Sequence, residues 1–221
     1  MNVSLKTENQ PDLLDSYDNA LRSGISNLPV EVSASQHDAL VAYLELMIKW
    51  NKAYNLTAVR DPLQMVTRHL LDSLSILPYL PAGRVLDVGT GGGLPGVVLA
   101  IMCPDREIHL LDSNGKKTRF LFQVKTALGL DTMEIHHERV ERFRDDQGFD
   151  VIVSRAFASL EDMVAGCRHL LGAQGSFLAM KGQFPQEELA ALRGSVELRA
   201  SHELHVPGLN EQRNLLEMVL T

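Results

Sequence analysis

Cysteine is scarce in this 221-residue chain, which holds only Cys103 and Cys167, far apart and outside any CxxC spacing. That excludes a disulfide framework and a cysteine-built metal centre, so both thiols read as buried and reduced. Long apolar runs are also missing. None reaches the roughly 18 residues that a membrane-spanning helix needs. Met1 to Gln10 is polar and lacks the apolar core of a secretory leader. Residence in the cytoplasm, away from membranes, is the expectation. Positive charge is in deficit: 21 Lys and Arg against 28 Asp and Glu give a net charge of −7. Alone, this argues against a dedicated nucleic-acid binder, although local distribution can override it. Repeats and low-complexity tracts are absent. The eight histidines make no ligand set, since adjacent His136 and His137 would point to opposite faces of a strand. No metal is expected.

What is present is an ordinary globular composition, 45% hydrophobic and 22% charged, long enough for one large α/β domain with an extension. Residues 1–80 read as a helical N-terminal extension packed on the core. Pro11–Arg22 has helical apolar spacing, with Gly24 as its stop. Ser33 with Gln36 forms a capping box for a helix presenting Leu40, Val41, Leu44 and Ile48. Asp61-Pro62 caps a third helix running toward Leu77. Residues 81–221 alternate. Strands are expected at 84–89, 107–112, 132–136, 149–154 and 176–181, and helices at 94–102, 116–128, 160–171 and 185–192. Two further strands, 196–205 and 213–220, have no helix between them. The fold class is therefore α/β: a doubly wound, mostly parallel Rossmann-like sheet with a terminal antiparallel hairpin.

The segment Val85-Leu86-Asp87-Val88-Gly89-Thr90-Gly91-Gly92-Gly93-Leu94-Pro95-Gly96 runs from strand through glycines into helix. Glycine serves where backbone takes positive φ or closely approaches a ligand. The turn lies at the carboxyl end of the first strand, where open α/β sheets bind ligands. Gly91, Gly93 and Gly96 also satisfy the dinucleotide pattern GxGxxG, a weak match in so glycine-rich a stretch. Asp87 opposes a nicotinamide cofactor, because a carboxylate there would repel a pyrophosphate. It suits a cation, and S-adenosylmethionine carries both an ammonium and a sulfonium. Asp112, ending the second strand, reads either as acceptor for ribose hydroxyls or as N-cap of the next helix. After the third strand, Val140 would contact an adenine ring and Glu141 would accept from its exocyclic amine, unless the segment is merely a helix start.

These residues carry a resemblance. The turn with its unusual Leu94-Pro95-Gly96 ending is similar to that of the small-subunit ribosomal RNA methyltransferase G family, also called glucose-inhibited division protein B. Trp50-Asn51-Lys52-Ala53-Tyr54-Asn55-Leu56-Thr57-Ala58 and Arg68-His69-Leu70-Leu71-Asp72-Ser73-Leu74 match upstream. Leu111-Asp112-Ser113, Ser154-Arg155-Ala156-Phe157-Ala158 and Lys181-Gly182-Gln183 match downstream. The resemblance covers roughly residues 35–220 and rests on the combination. It implies a class I methyltransferase that uses S-adenosylmethionine on N7 of the guanine at position 527, in the 530 loop of 16S rRNA. It implies cofactor contacts at Gly89, Leu94, Val140, Glu141 and Arg155, to which the turn itself adds Asp87, Gly91 and Asp112. Gly92 stands where the family commonly has proline. The first ~30 residues lie outside the match and receive no function.

Guanine N7 has a free lone pair and no proton to lose, so no general base is required and no catalytic nucleophile is nominated. Alignment and charge stabilisation would do the work. Arg155, after the fourth strand, reads as a positioning group for cofactor or base, or else as half of an ion pair. A-form RNA hides N7 in a deep, narrow groove, so the target base must lie in a loop or be splayed out. Backbone phosphates should supply much of the affinity. Lys49, Lys52, Arg60 and Arg68 against Asp61 make a local +3. Of these, Lys52, Arg60 and Arg68 join Arg155 and Lys181 as candidate RNA contacts. Lys116, Lys117 and Arg119 form a second basic group or a solvated helix face. Trp50 and Tyr54 read as packing residues ahead of base stackers. The partner is 16S rRNA or the small ribosomal subunit, and a monomer is the simplest state. The rival readings are a small-molecule methyltransferase of the same fold and a non-catalytic RNA-binding module.

Overall fold

The computed structural model describes residues 10–155 and 157–221. The polar start and Ala156 of the Ser-Arg-Ala-Phe-Ala motif lie outside the described residues. The chain opens with α1 (Gln10–Ile25) and α2 (Ala34–Tyr54). Ser33 and Gln36 close the expected capping box: Gln36 N donates to Ser33 Oγ at 3.2 Å, and Ser33 N to Gln36 Oε1 at 2.9 Å. Next come α3 (Pro62–Met65), a π-helix (Val66–Leu71) and α4 (Asp72–Leu74), end to end, with Asp61 as N-cap through Leu63 N at 3.1 Å. A 3₁₀ turn (Leu77–Tyr79) leads into the sheet.

Then follow β1 (Val85–Val88), α5 (Gly96–Met102), β2 (Ile108–Asp112), α6 (Gly115–Leu128), β3 (Met133–His137), β4 (Phe149–Ser154), α7 (Leu160–Cys167), β5 (Leu171–Lys181), α8 (Gln186–Ala191), β6 (Val196–Glu203) and β7 (Asn214–Leu220). The seven-stranded sheet has the order β3-β2-β1-β4-β5-β7-β6. Its first five strands are parallel, while β7 is antiparallel to both β5 and β6. The central strands β1 and β2 are buried throughout, as a sheet covered on both faces demands.

Strand alternation sorts side chains into two cores. Val85, Leu110, Val153 and Leu178 face α2, α5 and α6, together with Tyr17, Leu21, Leu70 and Leu71 of the helical segment. Leu86, Val88, Ile152 and Phe177 face Leu160, Met163 and Cys167 of α7. The helical N-terminal segment thus shares one continuous core with the sheet.

Two expectations are corrected here. Gly24 does not stop α1, which continues to Ile25. It lies against the π-helix, where an added Cβ would fall 2.3 Å from Leu71 Cδ1, so glycine allows the close approach. The helix expected over 160–171 ends at Cys167, followed by a 3₁₀ turn (Arg168–Leu170). Leu171 already belongs to β5, paired with Phe149, and an irregularity in register lies between Phe149 and Val151. Helical apolar spacing continued past the true helix end because Leu170 and Leu171 pack on the same core as α7.

Candidate active site

The carboxyl ends of β1, β2, β4 and β5 meet where the chain turns from one half of the sheet to the other, between β1 and β4. There the glycine turn is folded around Asp87. Thr90 Oγ1 and Gly96 N both donate to Asp87 Oδ2, at 2.6 and 2.7 Å. A Cβ at Gly96 would stand 2.7 Å from that oxygen, so the position admits only glycine. Gly91 takes φ 63°, a left-handed conformation favouring glycine. Gly92 does not require it: its added Cβ would meet only ordinary contacts, Met47 Cε at 3.6 Å and Leu56 Cβ at 3.8 Å. The position where the family commonly carries proline therefore has room for a side chain.

Asp87 is fully buried beneath the turn rather than lining a cleft. Burial raises its carboxyl to a pKa of about 6, against the pull of Thr90, Gly96 and the Arg155 charge. Its Oδ1 is buried without a hydrogen-bond partner among the described residues. A cation seated on the turn would compensate it, which fits a ligand bearing ammonium and sulfonium groups.

Asp112 is not the cap of α6. That role falls to Asn114, whose Oδ1 accepts from Lys116 N at 3.0 Å. Instead Asp112 Oδ2 accepts from Gly91 N at 2.9 Å, and Oδ1 from Asn114 N at 2.8 Å, so it fastens the turn to the end of β2. A cleft of about 300 Å³ opens beside it, bounded by Gly89, Asp112, Val140, Glu141 and Phe157. A smaller pocket of about 120 Å³ continues beyond Gly89, between Gly91, Leu94, Thr57 and Arg155. Gly89 lines both, and Val140 and Glu141 lie in a turn after β3 rather than starting a helix. Seven of the eight candidate cofactor residues thus line these two adjoining pockets, which share Gly89, with Asp87 buried beneath the turn.

Arg155 forms the ion pair that was its alternative reading, yet it also lines the pocket. Its Nη1 donates to Asp72 Oδ2 and to the Arg68 carbonyl, both at 3.0 Å. Asp72 is buried, and its Oδ1 accepts from Arg213 Nε at 3.2 Å. Lys181 is held by Glu188 at 3.0 Å, and Glu188 in turn accepts from Leu160 N at the start of α7. Arg68 is clasped by Glu211. Arg60 pairs with neither Asp61 nor Asp72: it donates to the Asn51 carbonyl at 3.0 Å and to Asn55 Oδ1, closing the end of α2. Lys52 is exposed in the last turn of α2. Trp50 packs on Phe120 of α6, with ring centroids 5.7 Å apart, and Tyr54 lies against Trp50. The five candidate RNA contacts therefore divide. Arg68, Arg155 and Lys181 surround one cleft of about 350 Å³, while Lys52 and Arg60 lie on α2 and the loop after it.

Sequence reasoning missed Asp72, Arg213, Thr57 and His69 as site residues. His69 Nε2 lies 2.9 Å from Thr57 Oγ1, and burial together with the Arg155 charge lowers its pKa to about 4. Asp72 and His69 were visible within a matched segment. Their partners Arg155 and Arg213, 83 and 141 residues from Asp72, were not.

Known structures share the fold. The glycopeptide N-methyltransferase MtfA, complexed with S-adenosyl-L-methionine, superposes with a TM-score of 0.60 at 12% identity, over 69% of this chain and 87% of that one. The sheet, its switch point and the glycine turn define a class I methyltransferase fold. At the level of sequence, a ribosomal RNA small subunit methyltransferase G from Pseudomonas aeruginosa is 59% identical over 197 residues, 89% of this chain and 92% of the relative. Its counterpart from Ectopseudomonas mendocina is 56% identical over 198 residues, 89% of this chain and 92% of the relative. The profile of the rRNA small subunit methyltransferase G family matches residues 36–216. The chain belongs to that family and is an S-adenosylmethionine-dependent methyltransferase.

Proposed function

We propose that this chain methylates N7 of a guanine in the 530 loop of 16S rRNA, as a cytoplasmic monomer acting on the rRNA or the small subunit. The reading rests on family membership together with one structural observation, the position of Arg155. It borders the pocket at the glycine turn, the cationic cleft with Arg68 and Lys181, and a wider groove of about 720 Å³ between Phe157 and Phe184. A donor site and a cleft suited to a nucleotide thus share one guanidinium.

When bound, S-adenosylmethionine supplies a methyl group activated by a sulfonium. Gly89, Leu94, Asp112, Val140 and Glu141 would hold it, with Asp112 and Glu141 offering acceptors to hydroxyl and amine groups. Asp72 holds Arg155 at the junction, where its guanidinium would hold guanine O6 and leave the N7 lone pair free to attack. Lys181 and the exposed ring of Phe184 border the groove that a splayed base would enter. No side chain need accept a proton, because N7 carries none. Among the described residues no helix is long and apolar enough to cross a membrane.

The test compares rRNA from a strain lacking the protein with rRNA from its parent, mapped by digestion and mass spectrometry. Loss of a single N7-methylguanosine in the 530 loop, restored by the wild-type gene and not by Arg155→Ala, is the expected result. An unchanged modification map would remove rRNA as the substrate.

A further inference from the structure

Arg68 and Arg213 share one acidic partner in an unusual place. Glu211 receives Arg68 in a two-pronged grip, Nη1 to Oε2 at 2.9 Å and Nη2 to Oε1 at 2.6 Å. Arg213 Nη2 reaches the same Oε2 at 3.3 Å. Two guanidiniums around one pair of oxygens is the arrangement that binds a phosphate, whose O–P–O edge presents the same fork as a carboxylate. The rest of the frame is rigid. Buried Asp72 fixes Arg213 through its Nε at 3.2 Å and Arg155 through its Nη1 at 3.0 Å. Arg68 is carried by the π-helix, which is packed into the core on both sides of it through His69 and Val66.

Glu211, by contrast, belongs to the loop between β6 and β7, and about half of its side chain is exposed. Glu211 and Arg68 themselves line a second depression of about 390 Å³, with Leu63, Thr67, Gly208 and Asn210, whereas Glu211 does not line the cationic cleft. The carboxylate therefore has open space to move into. An ion pair so exposed contributes little to stability and is readily exchanged. The held arginines face the cleft that also contains Lys181 and Arg155.

We propose that Arg68 and Arg213 form a binding subsite for a backbone phosphate of the RNA next to the target base, and that the Glu211 carboxylate fills this subsite until RNA displaces it. The inference builds on the rRNA reading and adds to it a named phosphate site, a second arginine and a built-in competitor. It has an electrostatic signature. In the parent, the phosphate gives up a condensed cation as it takes Arg68, but the displaced Glu211 carboxylate recruits one, so the exchange adds little to the salt slope. Without the Glu211 charge that offset is gone, and the cation released from the RNA is seen in full.

The experiment measures equilibrium binding of a 530-loop RNA hairpin over a salt series for the parent, Glu211→Gln, Arg68→Gln and the double variant. Circular dichroism and S-adenosylmethionine titration verify folding. Glu211→Gln is expected to bind roughly two- to fivefold more tightly at low salt, the range of an exposed ion pair. Its log-affinity against log-salt slope should steepen by about 0.7. The gain should disappear in the Arg68→Gln background, and Glu211→Ser should reproduce it with a shorter side chain. Hairpin binding by the parent with equal or weaker binding by both Glu211 variants overturns the inference alone. A parent that binds the hairpin no better than a scrambled RNA overturns the rRNA reading and this inference with it.

Discussion

At the scale of single residues, the turn discriminates sharply between neighbouring glycines. Gly96→Ala would drive a methyl group toward Asp87 Oδ2, where only 2.7 Å is available. It should cost about 1–3 kcal/mol and abolish cofactor binding. Gly92→Ala, placed in ordinary contact distance, should stay within about 0.5 kcal/mol of the parent and keep activity. Chemical denaturation with cofactor calorimetry on both variants checks the contrast, and equal behaviour of the two would contradict it. Asp87 and His69 give a pH experiment. The Asp87 carboxyl is raised to about 6 on folding, so the native state holds the extra proton and stability falls as pH rises toward 6. His69 is lowered to about 4, so the unfolded state holds the extra proton and stability rises from pH 4 to about 6.5. The two nearly cancel. Asp87→Asn should uncover the histidine, adding to the rise in stability between pH 4 and 6.5 by up to about 3 kcal/mol. Denaturant melts at half-unit pH steps read this, and an unaltered pH profile in the variant would refute the opposition. Lys52 is the cleanest test of the α2 surface. Unlike Arg60, whose guanidinium closes the end of α2, it can be reversed without opening a cap. Lys52→Glu should flatten the salt slope of RNA binding by about 0.7 while leaving cofactor affinity untouched.

At the scale of elements, the close seat of α1 on the π-helix is the most informative contact. Gly24→Val would press a branched side chain into Leu71, and should cost about 1–3 kcal/mol. Leu71 closes the segment that carries Arg68 and His69, so rRNA methylation should fall more than cofactor affinity does. A variant that loses stability and retains full methylation would separate α1 from the substrate side. Most of this architecture was legible in the chain. The glycine turn, the capping box at Ser33, the N-cap at Asp61 and the short apolar strand runs each report on local physics, and local physics is what sequence encodes directly. The π-helix was not legible: its residues Val66, Leu70 and Leu71 pack into the core shared with α1 and the sheet, contacts that local spacing does not carry. Gly24 misled for the same reason: a glycine that admits a neighbour and one that ends a helix look alike until the neighbour is known. In the site, the residues around the turn were readable from one contiguous motif. The Asp72 tether was not, since it joins Arg155 and Arg213 across most of the chain. Charge counting identified cations but could not show that Arg68, Arg155 and Lys181 each have an acidic partner.

At the scale of the whole molecule, the seam between helical segment and sheet is where a biochemist would look for two parts, and the packing offers no such division. Tyr17, Leu21, Leu70 and Leu71 sit in the same buried cluster as Val85, Leu110 and Val153. Cutting the chain near residue 80 would therefore strip one face of the sheet of its cover rather than free a smaller unit. Calorimetry of the intact protein should show one transition whose van't Hoff and calorimetric enthalpies agree. Two resolved transitions would mean that the cluster is two clusters in contact. The same continuity governs life in the presence of proteases. A nick at the exposed Ala82-Gly83 step before β1 should leave both pieces associated and active in dilute buffer, then release them together on mild warming. Neither fragment, expressed alone, should accumulate as a soluble species. The enzyme's working surface and its structural integrity are thus inherited as one object, and no cut at that seam can simplify the first without dissolving the second.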